Sequence, residues 1–233
     1  MVRRTKADAL VTRNSLLDAA EHLFQERGVS RTSLNDIATA AGTTRGAIYW
    51  HFKDKADLFN AMMERVTMPL EGTLACSARM ADSSENPLQS LRESMMTALS
   101  QTANDDQTRR VFEVATHKVE YVAEMQAVRD RHLQVRNECK AMVEEVIERA
   151  VQREGVTLSV PVSTAALGLH VIMDGLIQNW LLDPQAFDLV KCGNQTMDVY
   201  LTGLGFALPH APRAPQPGAS IPRKPPTPRL APA

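Results

Sequence analysis

The sequence contains few cysteines and no long uninterrupted hydrophobic run, and both absences restrict what the protein can be. Its 233 residues include three cysteines, which lie far apart and form no CxxC pair, so a fully paired disulfide framework is excluded. The basic N-terminus is not followed by the apolar segment of a signal peptide. The most apolar stretch, residues 165–177, is interrupted by His170 and Asp174 and is too short to span a bilayer. We therefore expect a cytoplasmic protein with no membrane segment.

The motifs of catalysis and of cofactor binding are also missing. No pattern pairs a catalytic acid with a base, and no glycine-rich loop or zinc-ligand spacing occurs. His117, Glu120 and Glu124 suggest a metal-binding face, but no second helix repeats a Glu-x-x-His pair, as carboxylate-bridged metal bundles require. An ion pair or a helix cap is the favoured interpretation. We expect no catalytic residue, no metal, no cofactor and no enzymatic activity.

The chain has no excess charge of either sign, and its formal net charge of −1 is unlike that of a typical nucleic-acid binder. The parts differ, however. Residues 1–65 carry a net charge of +2, residues 66–208 carry −7, and residues 209–233 carry +4. The near-neutral total therefore does not exclude DNA binding by the N-terminal part.

Helical periodicity is present almost throughout. Apolar residues recur every three or four positions up to residue 206, with no alternating strand pattern, so we predict an all-α protein of about nine helices. Nine prolines among residues 209–233 predict a disordered tail. We divide the chain into a DNA-binding domain (1–65), a helical ligand-binding and dimerisation domain (66–208) and the tail (209–233).

Residues 33–52 have the spacing of a helix-turn-helix, with two helices of about eight residues joined by a turn at Gly42. In such a unit the second helix enters the major groove, where Arg45 is suited to read guanine or to clamp a phosphate. Gly46 and Ala47 leave room for close approach to the bases. The predicted DNA-binding residues are Thr32, Ser33, Thr43, Thr44, Arg45, Gly46, Ala47, Tyr49, His51, Lys53 and Lys55.

The spacing alone leaves another interpretation open, because many helical proteins place a glycine between two short helices. On that reading Ser33 and Thr44 are simple helix caps, and Tyr49 and Trp50 are core residues.

Several motifs together resemble the TetR family of DNA-binding regulators, in particular its AcrR/TtgR-type branch of multidrug-efflux repressors. The N-terminal motifs are Thr32-Ser33-Leu34, Ile37-Ala38, Ala41-Gly42, Arg45-Gly46-Ala47-Ile48-Tyr49-Trp50-His51-Phe52 and Lys55-Ala56-Asp57-Leu58. The later ones are His117-Lys118-Val119-Glu120-Tyr121, Glu124-Met125, Asp174-Gly175-Leu176, Trp180-Leu181, Pro184 and Phe187-Asp188-Leu189. The resemblance covers most of residues 1–206. It implies a homodimeric repressor that binds double-stranded operator DNA and releases it when a small hydrophobic molecule binds.

The C-terminal body has features of an adaptable apolar pocket. Ten of the eleven methionines follow residue 60, although any single one is more simply core filler. His170 and Asp174 lie one turn apart on an apolar helix, where a buried carboxylate needs either a ligand or a structural hydrogen bond as its partner. The resemblance implies a pocket formed by Phe112, Thr116, Cys139, Val143, His170, Met173 and Asp174.

We expect dimerisation through the last two long helices, which carry small residues on apolar faces, with Trp180 and Leu181 as anchors. The fourth helix, beginning at Lys55, is the expected lever between pocket and DNA. Two alternatives stay open: a helical DNA-binding protein without a small-molecule ligand, and a TetR-type regulator of another pathway.

Overall fold

Several of the helices begin at capping side chains, as at Ser33, Thr44 and Asn86. The structure is a computed structural model that describes residues 6–80 and 86–208; the predicted tail lies outside the described residues. The described residues form nine α-helices and no strand, which confirms the all-α prediction. They are α1 (Lys6–Arg27), α2 (Leu34–Ala40), α3 (Arg45–His51), α4 (Lys55–Met80), α5 (Pro87–Asn104), α6 (Asp106–His117), α7 (Gln126–Glu154), α8 (Val162–Leu182) and α9 (Leu189–Gly203).

Side-chain caps fix the starts of the short helices. Ser33 accepts a hydrogen bond from the backbone N–H of Asp36 at 3.2 Å, and the Asp36 carboxylate accepts one in return from the N–H of Ser33. Thr44 caps α3 by accepting from the N–H of Ala47 at 3.2 Å. Gly42 turns the chain between these helices with φ at +64°, a conformation that costs glycine little.

Apolar periodicity in the sequence predicts helices that end at residues 120 and 206, but α6 stops at His117 and α9 stops at Gly203. Gly205, with φ at +103°, turns the chain after α9 so that Phe206 packs into the core. After α6, residues 118–125 form a connector that leads to α7 and ends in a single 3-10 turn, Ala123–Met125. The bonds of Lys118 and Glu120 to Val29 and Ser30 hold this connector against the N-terminal unit, which accounts for the early stop of α6.

The apolar residues form two cores. The first core joins α1, α2, α3 and the start of α4, but it also contains Val111 and Val114 of α6, Met125 of the connector and Val128 of α7. The second core lies among α5, α7, α8 and α9. Because the first core includes side chains from both halves of the chain, the N-terminal unit is packed directly on the body.

Trp180 and Leu181 were expected at a dimer interface, and this expectation is wrong. They are 6% and 8% exposed, since both side chains point into the second core of their own chain. The large apolar residues that α8 and α9 leave exposed are Leu167, Val171, Leu182 and Val199.

α8 also corrects the prediction that no stretch is long enough to cross a bilayer. It is the one described helix that is long and apolar enough to do so by length and composition. Ala165, Ala166 and Leu169 are nevertheless fully buried in the second core, as in a central helix of a helical body.

Candidate DNA-binding surface and ligand cavity

The helix α3 is held by one buried side chain and presents its other residues to solvent. Helices of seven residues are marginal in water, so packing must stabilise them. Ile48 is completely buried in the first core, which contributes about 1.5–3 kcal/mol. Arg45 is exposed beside it, and its guanidinium lies 5.7 Å from the centre of the Tyr49 ring. α3 therefore exposes an arginine and an aromatic hydroxyl side by side.

Tyr49 and Trp50 are 49% and 73% exposed, so the interpretation of both as core residues is wrong. The Trp50 ring instead meets the ring of His51 edge-on, with centroids 4.6 Å apart. Gly46 adds no side chain to this face. The exposed surface of α3 thus combines the residue types expected of a groove-reading helix.

A shallow cleft of about 350 Å³ lies beside α3. The residues that line it are Ser30, Arg31, Thr32, Ser33, Leu34, Asp36, Tyr49, Lys53, Asp54 and Lys55. The backbone N–H of Lys53 donates to the Asp57 carboxylate at 2.9 Å, which fixes the turn that carries the lysine. The cleft therefore collects several donors suited to phosphate next to the helix that carries Arg45.

Two predicted DNA contacts need correction because their polar groups are used inside the protein. Thr32 is 1% exposed, and its hydroxyl donates to the carbonyl of Gly28 at 2.9 Å. The ammonium of Lys55 donates to the carbonyl of Val29 at 3.2 Å and forms an ion pair with Glu124 at 2.8 Å. Both side chains hold the unit together instead of extending towards solvent.

The body contains a cavity of about 470 Å³ between α4, α6, α7 and α8. Five of the seven residues expected in a pocket line it: Phe112, Thr116, Cys139, His170 and Asp174. Phe59 of α4 and Val128 of α7 line it too, and both also belong to the first core. The wall of the cavity is therefore shared with the core of the N-terminal unit.

Val143 and Met173 do not line the cavity. They are 2% and 9% exposed and lie in the second core. Met173 precedes Asp174 on α8, and successive helical side chains point about 100° apart, so one faces the core while the other faces the cavity. Val143 lies one turn beyond Cys139, where α7 packs against α5 and α8.

Asp174 is exposed at the cavity wall instead of buried, and its carboxylate accepts a hydrogen bond from the Gln178 amide at 2.6 Å. Several polar side chains that were not predicted from the sequence also line the cavity, among them Tyr121, Arg131, His132, Arg136 and Gln178. Helical spacing offered a signal for some of them, because His132, Arg136 and Cys139 lie on one face of α7.

Protonation in the cavity is set mainly by burial. Burial raises the pKa of the Cys139 thiol to about 11, and the charges of Glu71 and Glu138 act in the same direction. The thiol is therefore protonated at neutral pH and unreactive as a nucleophile. Burial lowers the pKa of His170, with Asp174 opposing this effect, so the imidazole is neutral there.

The connector, residues 118–125, joins the cavity to the N-terminal unit. The carbonyl of Lys118 accepts from the N–H of Val29 at 3.0 Å, and Glu120 accepts from the Ser30 hydroxyl at 3.3 Å. Glu124 pairs with Lys55 as described above. Val119 and Tyr121, between these residues, line the cavity.

These contacts explain the acidic residues that raised the question of a metal face. Glu120 and Glu124 bind Ser30 and Lys55, and a ring nitrogen of His117 lies 3.2 Å from the carbonyl of Gln178. No group of three potential metal ligands was found among the residues that the structure describes.

Comparison with known proteins agrees with this arrangement. Residues 16–62 match the family of bacterial regulatory proteins called tetR, and residues 86–206 match the C-terminal region of MAATS-type transcriptional repressors. The HTH-type transcriptional regulator AcrR of Shigella flexneri is 38% identical over 192 residues, covering 82% of this chain and 88% of AcrR.

Two similar solved structures come from repressor studies. NalD, the secondary repressor of the MexAB-OprM multidrug efflux pump in Pseudomonas aeruginosa, is 34% identical with a TM-score of 0.76, covering 84% of this chain and 97% of NalD. A SmeT–triclosan complex is 27% identical with a TM-score of 0.73, covering 94% of this chain and 99% of SmeT. The chain belongs to the TetR family of bacterial transcriptional regulators, whose members bind operator DNA and function as dimers.

Proposed function

We propose that this protein represses a multidrug efflux operon and leaves its operator when a small hydrophobic molecule fills the cavity. The observation that carries the proposal is the shared wall: Phe59 and Val128 line the cavity and also belong to the first core, on which α3 rests. The similarity to NalD, an efflux-pump repressor by its description, supports the choice of target.

On this proposal the residues around α3 divide the work of DNA recognition. Arg45 reads a base edge, while Gly46 and Ala47 allow the helix to approach closely. The donors at the edges of α3 and in the neighbouring cleft bind phosphates and position the helix. They are Thr43, Thr44, Tyr49, His51 and Lys53, whereas both donors of Ser33 are bonded to the Asp36 carboxylate.

The proposed dimer forms through α8 and α9. Leu167, Val171 and Val199 are exposed apolar side chains on these helices, and burying them in an interface removes apolar surface from water. Gly175 and Gly203 lie on the same helices, and a Cβ atom added at either would meet no atom within 4 Å. To enter successive major grooves, the two copies of α3 in this dimer must lie about 34–36 Å apart. Val171→Asp should therefore yield monomers in sedimentation experiments.

Release follows from coupling between the cavity and the DNA-binding unit. A ligand against Phe59 displaces α4, and a ligand against Val119 or Tyr121 displaces the connector and its bonds to Val29 and Ser30. A coupling free energy of about 1–3 kcal/mol would weaken operator binding about 5- to 150-fold. By linkage, operator DNA weakens ligand binding by the same factor.

We place this activity in the cytoplasm, where the operator is, and expect no substrate turnover. The test is fluorescence anisotropy with DNA flanking the protein's own gene, titrated with and without a panel of apolar antimicrobials. Weaker operator binding at saturating ligand is the expected result. If ligand and DNA bind independently at saturation, the proposal is wrong.

A further inference from the structure

We propose that the cavity selects acidic aromatic molecules, whose ionised carboxylate or phenolate binds Arg136. The inference rests on the proposed function only in treating the bound molecule as an effector. It concerns the chemistry of the ligand, for which the apolar lining alone gives no preference.

The interior of the cavity suits an aromatic ring. Its wall is formed by apolar side chains from four helices and the connector: Phe59, Met63, Phe112, Ala115, Val119, Val128, Val135 and Ile177. A volume of about 470 Å³ lies within the range of small-molecule pockets. The apolar part of a ligand therefore has a place away from water.

Polar residues occupy one side of the cavity, where α7 and α8 face each other. His132 and Arg136 lie one turn apart on α7, and His170 and Asp174 lie one turn apart on α8. All four line the cavity, and we call them the polar rim. The pKa of His170 responds to Asp174, Arg136 and His132, which supports their proximity.

The charges around the cavity are unequally satisfied. Arg131 also lines the cavity, but Glu64 and Glu71 lie 3.7 and 3.9 Å from its nitrogen atoms. Asp174 accepts a hydrogen bond from the Gln178 amide at 2.6 Å. Arg131 therefore already has anionic partners, whereas Asp174 is bonded to a neutral amide.

Arg136 differs from Arg131, because its guanidinium donates only to the neutral amide oxygen of the adjacent Asn137, at 3.0 and 3.3 Å. Among the described residues, no carboxylate lies within 4.0 Å of the guanidinium of Arg136. Even Asp174, on the other side of the polar rim, is farther away than that. A guanidinium has five donors in a planar fork that fits a carboxylate. An acidic ligand group at the rim would supply the missing anion.

A matched pair of probes tests this inference on the full-length protein. 4-Biphenylcarboxylic acid is ionised at pH 7.5, and 4-biphenylcarboxamide has nearly the same shape without the charge. We expect calorimetric titration to give a Kd about tenfold lower for the acid, since hydrogen bonds to ionised groups are stronger than neutral ones. Arg136→Gln should weaken the binding of the acid alone and so bring the two Kd values within about twofold of each other.

Arg129→Gln is the matched control, because it removes the same charge from an exposed position of the same helix that does not line the cavity. It should keep the preference for the acid. Unchanged binding of the carboxamide by Arg136→Gln shows that the cavity is intact. The inference is overturned if the wild-type protein binds both probes equally or neither, or if Arg136→Gln keeps the preference.

An operator-release measurement with the same probes separates this inference from the proposed function. Preferential binding of the acid without DNA release supports the inference and contradicts the proposed function. If both probes bind equally and release the DNA, the proposed function is supported and the inference is contradicted.

Discussion

At the scale of single residues, Arg45 and Lys53 lie on one surface but have different expected roles. Replacing Arg45 by alanine should reduce the free energy of operator binding by about 1–3 kcal/mol and relax the sequence preference of the protein, because a base contact is lost. Replacing Lys53 by alanine should weaken binding to all DNA sequences alike. It should also reduce the slope of the logarithm of the binding constant against the logarithm of the salt concentration by about one. Anisotropy titrations on operator and scrambled DNA at several salt concentrations distinguish the two. An equal loss on both sequences for Arg45→Ala would make it a phosphate contact.

A buried carboxylate, Glu21, predicts a pH dependence of stability. It is 1% exposed on α1 and is surrounded by Arg65, Gln107 and Arg110. Burial raises its pKa more than these partners lower it. The stability associated with the protonated group is therefore fully present below the unfolded pKa of about 4.5 and is lost as the pH rises through the higher folded pKa.

Glu21→Gln, a neutral isostere, should escape this loss. The melting temperature of the variant relative to that of the wild type is expected to increase from pH 4.5 to pH 7. Thermal melts across this interval check the prediction, with Glu26→Gln, at an exposed position on the same helix, as the control. A constant difference across the interval would mean that the folded protein does not raise this pKa.

At the scale of elements, the connector is the place where a small change should affect signalling more than stability. The Lys55–Glu124 ion pair has one exposed partner, since the Glu124 side chain is 59% exposed, and such pairs contribute about 0–1 kcal/mol to stability. Glu124→Gln should leave the melting temperature nearly unchanged. The ratio of the operator Kd with effector to the operator Kd without it should fall, because one bond between the connector and the N-terminal unit is lost.

Glu144→Gln provides a comparison for that experiment, because it breaks a Lys–Glu pair with Lys140 on α7, away from the connector. It should keep the full effector response. Equal effector responses from the two variants would mean that the Lys55–Glu124 ion pair does not couple the cavity to DNA binding.

The sequence was sufficient to predict where helices start but not which distant residues come into contact. Helix starts at Ser33, Thr44 and Asp54 were predictable because a cap and the N–H it satisfies lie three residues apart. The roles of Lys55 and Trp180 were not, because their partners are distant in sequence. Lys55 meets Glu124 only after the body has folded against α4, and Trp180 meets the second core only through the packing of its neighbouring helices.

At the scale of the whole molecule, the charge distribution directs how the protein meets DNA. Residues 66–208 carry −7, which repels phosphate, while residues 1–65 carry +2. The body therefore disfavours unproductive orientations, and the small positive charge of the N-terminal part keeps non-specific affinity modest.

Residues 209–233 add a charge of +4. A chain ending at residue 208 should bind scrambled DNA more weakly and with a smaller salt dependence, because fewer counterions are released. Its preference for the operator and its response to effector should be unchanged. Anisotropy at several salt concentrations measures all three quantities. A lost operator preference would assign these residues a role in recognition.

The packing of Val111, Val114 and Met125 into the first core has a consequence for building chimeric regulators. A graft that joins residues 1–65 to a foreign body would leave holes where these three side chains belong, and each deletion of buried apolar volume costs stability. A transplant that also carries α6, the connector and the start of α7 with Val128 keeps that surface complete. The exchangeable part of this protein is therefore assembled from two separate stretches of chain.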